Sequence, residues 1–107
     1  MIRNKGETVR LPLERVQYIE VIDHSLFFHT SEGVAEESGF RSMKQLEAEL
    51  KAEHFSRSSH GHLVNLYYVD GLRKDTVVVA GCQLPVSRSK RKSFAEDLEK
   101  YTKEVLL

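Results

Sequence analysis

Short runs of β-branched and aromatic residues recur along most of this chain, each cut off within about four to seven residues by a turn-forming group. Val16-Gln17-Tyr18-Ile19-Glu20-Val21-Ile22 stops at Asp23-His24-Ser25, and Leu26-Phe27-Phe28-His29-Thr30 stops at Ser31-Glu32-Gly33. Thr76-Val77-Val78-Val79-Ala80 stops at Gly81-Cys82. Runs of this length are too short for ordinary helices but suit strands, whose alternate side chains fall on opposite faces of a sheet. The same reading places further strands at 7–11, near 34–37, around Phe55, and at 62–66, 67–70 and 83–86, with Leu11-Pro12-Leu13 as a break. The first strands form an antiparallel meander.

Two segments depart from that pattern. Ser42-Met43-Lys44-Gln45 is a capping-box sequence and opens a helix over about 42–53. Met43, Leu46 and Leu50 share one face of it, while Lys44, Glu47, Glu49 and Lys51 point away. Phe94, Leu98, Tyr101 and Val105, spaced four, three and four apart, make the apolar stripe of a C-terminal helix over about 89–104. The predicted fold class is mainly β, built from short antiparallel strands with helices on the surface.

At 107 residues the chain is expected to be one domain, 1–107. It has 40% hydrophobic and 30% charged residues, which suits a folded, soluble protein. No apolar run approaches the roughly 18 residues of a membrane span, and the N-terminus lacks a signal-peptide apolar region. A single cysteine, Cys82, excludes an internal disulfide and suits a reducing compartment, so a cytoplasmic location is expected. Beside Gly81 in a predicted hairpin, Cys82 reads as a passive thiol rather than a sensor.

The net charge is zero, but its distribution is uneven. Residues 1–53 hold seven Lys/Arg against ten Asp/Glu, and residues 54–107 hold nine against six. Between 57 and 92 seven basic residues face two acidic ones, Asp70 and Asp75. A basic face on a neutral protein can bind DNA, because phosphates sense the local field within about 8 to 10 Å; a merely solvated charged face would look the same in composition. The positions that bear on this choice lie in Arg57-Ser58-Ser59-His60-Gly61-His62-Leu63-Val64-Asn65-Leu66 and in Leu84-Pro85-Val86-Ser87-Arg88-Ser89-Lys90-Arg91-Lys92. In both, polar groups flank apolar stretches that read as strands.

These residues together resemble the LytTR family of DNA-binding domains, found in bacterial response regulators of the LytR and AgrA type. The likeness spans nearly the whole chain: Ile19-Glu20 in an early strand, the helix with Leu46 and Leu50, Phe55-x-Arg57 leading to Leu63-Val64-Asn65-Leu66, and the closing Leu84-Pro85-Val86-Ser87-Arg88. The resemblance implies an elongated fold of short antiparallel sheets packed side by side, whose loops enter successive major grooves of double-stranded DNA at promoter repeats and bend it. It implies work as pairs on repeated half-sites, a possible homodimer on DNA, and a receiver domain that usually precedes such a domain and for which this chain has no room. It implies no enzymatic activity, no cofactor and no metal.

The family's contact positions fall on His24, with Asp23 or Ser25 beside it, on His60 flanked by Ser59 and Gly61, and on Arg88 with Lys90, Arg91 and Lys92 behind it. The family's usual Arg-x-His-(Arg, Lys or Asn)-Ser-(Tyr or Phe)-Leu-Val-Asn is altered here, with Ser59, His60, Gly61 and His62 standing where His, the variable residue, Ser and the aromatic are common. The departures fall in the reading loop and leave the strand after it intact.

The chemistry of these side chains fits those roles. Arginine pairs bidentately with guanine O6 and N7, a contact worth about 1 to 3 kcal/mol of discrimination, and Arg88 is the first candidate. Lys90, Arg91 and Lys92 suit phosphates, which give affinity with little sequence information. The imidazoles of His24 and His60 offer one donor and one acceptor when neutral, and a protonated imidazole would tighten a phosphate contact. For Arg57 a phosphate contact and an internal ion pair both fit. Asn65 is expected to satisfy backbone groups at a strand end, and His62 to pack at the start of a strand.

Two enzyme readings and one binding reading compete. His60 and His62 with His24 and His29 could supply imidazole metal ligands, but no Cys or Asp/Glu completes a recognisable ligand spacing. A Ser-His hydrolase from Ser58, Ser59 and His60 fails because adjacent residues do not align nucleophile and base. A β-rich protein-interaction module without specific DNA binding is the better alternative.

Overall fold

The computed structural model describes residues 2–39 and 41–105. The chain enters through a hairpin of β1 (Ile2–Asn4) and β2 (Glu7–Val9), then forms the meander β3 (Tyr18–Ile22), β4 (Ser25–Thr30) and β5 (Gly33–Ser38). Helix α1 (Met43–Leu50) follows, and β6 (Phe55–Ser59) and β7 (His62–Asn65) return to the sheet. A second sheet of β8 (Val69–Leu72), β9 (Thr76–Val79) and β10 (Cys82–Pro85) precedes helix α2 (Arg91–Val105). The main sheet runs β5-β4-β3-β7-β6 and the smaller one β10-β9-β8, all pairs antiparallel.

Strand β3 is the keystone, because its two faces feed two different cores. Ile19 pairs with Phe28 on one side and Leu63 on the other, whereas Tyr18 pairs with His29 and Val64. Strand pleating therefore turns Ile19 and Leu63, both fully buried, toward α1, where Met43, Leu46, Phe55, Leu26 and Phe28 complete one cluster. Tyr18 and Val64 face the opposite way, into a cluster with Val77, Val79, Leu84, Val86 and Phe94 from the second sheet and α2. Each such buried side chain contributes about 1.5 to 3 kcal/mol relative to exposure, so neither layer can detach cheaply. The layers side by side give extents of 43 × 27 × 24 Å, the elongated shape expected.

The capping box at α1 is complete: Gln45 N donates to Ser42 Oγ, and Ser42 N donates to Gln45 Oε1. The α-helix is shorter than expected, since after Leu50 the chain tightens into a 3-10 turn at Lys51–Glu53 and is stopped by His54 in the left-handed region at φ 64°. One strand expectation also shifts, and the expected break before β3 takes a defined form. Leu13–Arg15 and Leu66–Tyr68 are 3-10 turns, and Asn65 caps the second by accepting from Tyr67 N. Strand β1 had no signal beyond Ile2, which is buried because the hairpin lies along β5. Helix α2 begins at Arg91 rather than 89, and its stripe ends in a half-exposed Val105. No helix among the described residues is long and apolar enough to cross a membrane.

Candidate nucleic-acid interface

The β3–β4 connection is a two-residue hairpin loop between the pair Ile22 and Ser25. Asp23 and His24 both take positive φ, 48° and 67°, the backbone of a type I′ turn that usually falls to Asn-Gly or Gly-Gly. The turn holds two side chains where glycine would cost less, and it projects an exposed imidazole from the sheet. Its backbone is tied to the chain just past β5, where Gly39 N donates to His24 O at 3.4 Å.

The β6–β7 turn lies at the same end of the sheet, because β3 and β7 are antiparallel neighbours with Glu20 opposite His62. Val21 N donates to Gly61 O at 3.0 Å, which ties the two turns together. His24 and His60 thereby line one cleft of about 520 Å³ with Lys44, Ser42 and Arg41 from the α1 end and with Arg57. Lys44 is exposed, as its position away from Met43, Leu46 and Leu50 predicts; its place beside the two histidines comes from the helix start lying against both turns, for which the sequence carries no local signal.

Arg57, expected among the DNA contacts, is instead turned inward. Only 7% exposed, it donates from Nη1 to Glu47 Oε1 at 2.9 Å, from Nε to Ser59 O at 3.1 Å and from Nη2 to His60 O at 2.9 Å. Of the two readings of this residue, the internal ion pair is the one found, and its fork shapes the turn that carries His60. Ser59 is likewise buried: its Oγ accepts from Gly61 N at 3.3 Å and bonds His62 Nδ1 at 2.8 Å. Ser58 is the extra residue of a β-bulge between Arg57 and Ser59, with a buried hydroxyl that has no partner among the described residues.

Behind the turn, His62 and His29 converge on one carboxylate. His29 Nε2 lies 2.6 Å from Glu20 Oε1, and His62 Nε2 lies 3.5 Å from Glu20 Oε2. The His62 tautomer protonated at Nε2 satisfies both of its ends, accepting from Ser59 and facing Glu20. Burial pushes the His62 pKa below its ordinary value, with Glu20 opposing the shift. Tyr18 stacks on His29 at 4.2 Å and sets its hydroxyl 3.8 Å from Cys82 Sγ; burial, then Cys82, raise its pKa. Among the described residues no three His, Cys, Asp or Glu stand where they could hold a metal ion.

The closing segment reaches the same end of the molecule by a sheet-like bond. Ser87 N donates to Ser58 O at 2.8 Å, so Ser87-Arg88-Ser89-Lys90 runs beside the outer strand next to the His60 turn. Lys90 O accepts from Phe94 N and Ser93 Oγ, starting α2, while the fully buried Phe94 anchors the helix beneath. Arg88 and Lys92 are exposed; Lys90 and Arg91 are half-buried, and Arg91 Nε is sealed off without a hydrogen-bond partner among the described residues. Asn65 performs the expected structural task, donating to Val16 O at 2.8 Å and accepting from Tyr67 N.

Comparison with known proteins accords with this arrangement. The family model described as the LytTr DNA-binding domain matches residues 6–99. A comparison with curated protein sequences found no significant match. Among solved structures, the LytTr DNA-binding domain of a methyl-accepting/DNA response regulator from Bacillus cereus is similar, with a TM-score of 0.77 and 20% identity over 91% of this chain and 93% of that one. A family match running from the first hairpin into α2, over most of the chain, leaves one conclusion: this chain belongs to the LytTr family of DNA-binding domains.

Proposed function

We propose that this chain is a sequence-specific DNA-binding domain of a transcriptional regulator, acting as one unit in the cytoplasm as the effector half of a two-component response regulator. The observation that carries the reading is that three segments distant in sequence, the Asp23-His24 turn, the His60-Gly61 turn and Ser87–Lys90, come together at one end of a rigid sheet. Loops so held can enter a groove without first ordering themselves, which lowers the entropic cost of binding.

In this reading Arg88 pairs with a guanine, His24 and His60 reach base edges or phosphates, and Lys90, Lys92 and Lys44 touch the backbone, with Arg91 contributing field more than contact. Arg57 and Ser59 position the His60 turn. Two copies on repeated half-sites supply the affinity that one modest basic face lacks. A receiver domain on the same polypeptide would bring such copies together.

The test is selection from random duplex DNA followed by sequencing, repeated with variants. A repeated motif should emerge, and Arg88→Ala should relax one position of it. Lys92→Ala should instead weaken all sequences alike and flatten the salt dependence by about one unit of slope. Failure to enrich any motif in low salt would overturn the reading.

A further inference from the structure

We propose that an open cleft at the opposite end of the main sheet binds an arginine or lysine side chain presented by a partner protein. The cleft, of about 770 Å³, begins where β6 and β7 are joined by the pair Phe55 and Asn65. The DNA-reading turn closes the other end of the same two strands. Four residues at roughly 3.3 Å each put about 13 Å of strand between the two sites, so both can be occupied at once.

The chemistry of the walls selects for a cation. Tyr67, Tyr68 and Tyr101 contribute three phenol rings, and Glu14 and Glu53 two carboxylates, with no lysine or arginine among the described residues that line the cleft. Tyr67 and Tyr68 stand edge to face at 5.1 Å and 87°, so two ring surfaces bound the cleft at right angles. Tyr68 is pinned by its hydroxyl donating to Glu14 O, and Tyr101 by contact with His54 at 5.1 Å. Tyr67 is 70% exposed, so much of its ring is open to an incoming side chain. Aromatic faces and carboxylates together attract guanidinium and ammonium groups, and the same carboxylates repel DNA. The cleft is open to solvent and far larger than an ammonium ion, so a side chain carried on a polypeptide fits better than a free small cation.

The experiment is an NMR titration of the isotope-labelled chain with Nα-acetyl-arginine amide and, in parallel, with its neutral isostere Nα-acetyl-citrulline amide. The arginine derivative should shift Tyr67, Tyr68 and Tyr101 saturably in the millimolar range, as suits so small a ligand, while citrulline should leave them in place. Tyr67→Ala and Glu53→Gln should each weaken binding by about two- to fivefold without changing DNA affinity. Equal shifts with citrulline, or none with arginine, would overturn the proposal. So would shifts at the cleft that follow protein concentration alone, which would mean that a second copy fills it.

Discussion

Replacing Arg57 by alanine separates a structural role from a phosphate contact more sharply than any other single change. The guanidinium holds Glu47, Ser59 O and His60 O at 2.9, 3.1 and 2.9 Å, and the residue is 7% exposed. Ser59 O belongs to a buried residue, so losing its charged donor costs about 1.5 to 3 kcal/mol. His60 is exposed, and water can take over at its carbonyl for much less. The Glu47 side chain is 38% exposed, which discounts the ion pair to the roughly 0.2 to 1 kcal/mol of a solvent-screened one. The sum is about 2 to 4 kcal/mol, or roughly 4 °C in Tm for each kcal/mol in a domain of this size. Urea denaturation measures the loss directly. DNA affinity should fall with it, because the His60 turn loosens, but the slope of log affinity against log salt should not change, because no phosphate contact is removed. An Arg57→Ala protein of unchanged stability, with a slope flattened by about one unit, would refute this account and return Arg57 to the DNA surface.

Two further outcomes follow from the same neighbourhood. His62 has its pKa lowered from 6.5 by burial, so the folded state takes up its proton at lower pH than the unfolded chain does; stability should therefore fall as pH drops below 6.5, and His62→Phe should lose that part of the pH dependence, with parallel denaturation curves for the two proteins counting against it. His24 sits at φ 67°, so His24→Gly should raise stability or leave it unchanged by relieving about 1 kcal/mol of left-handed strain, while DNA selectivity falls; a clear loss of thermal stability would show that the imidazole supports the fold.

Much of the local structure was legible from residue order because its causes are local. The Ser42 and Gln45 capping box, the three-to-four spacing of Met43, Leu46 and Leu50, and the β-branched runs broken at Asp23-His24 and Gly81 depend on neighbours within a few positions. Asn65 could be assigned to backbone groups because an amide in an apolar strand has few other ways to be satisfied. Boundaries moved where tertiary contacts won, as at Leu66–Tyr68, where the Asn65 cap replaced a strand by a 3-10 turn.

By itself, then, the sequence determined most of the strands, both helices, the turns at Asp23-His24 and Gly81, and which family the chain resembles. Tertiary structure decided what those segments mean. That β7 returns to pair with β3, giving the order β5-β4-β3-β7-β6, is a matter of long-range pairing that no local propensity encodes. That pairing buried Arg57 and Ser59 behind the His60 turn and brought His62 onto Glu20, which His29 already reaches across the β3–β4 hairpin, while α1 placed Lys44 beside His24 and His60. Whether a charged side chain serves the fold or the ligand depends on which buried acceptors stand within hydrogen-bond reach, and for Arg57 those acceptors are assembled only when strand, turn and helix have closed on one another.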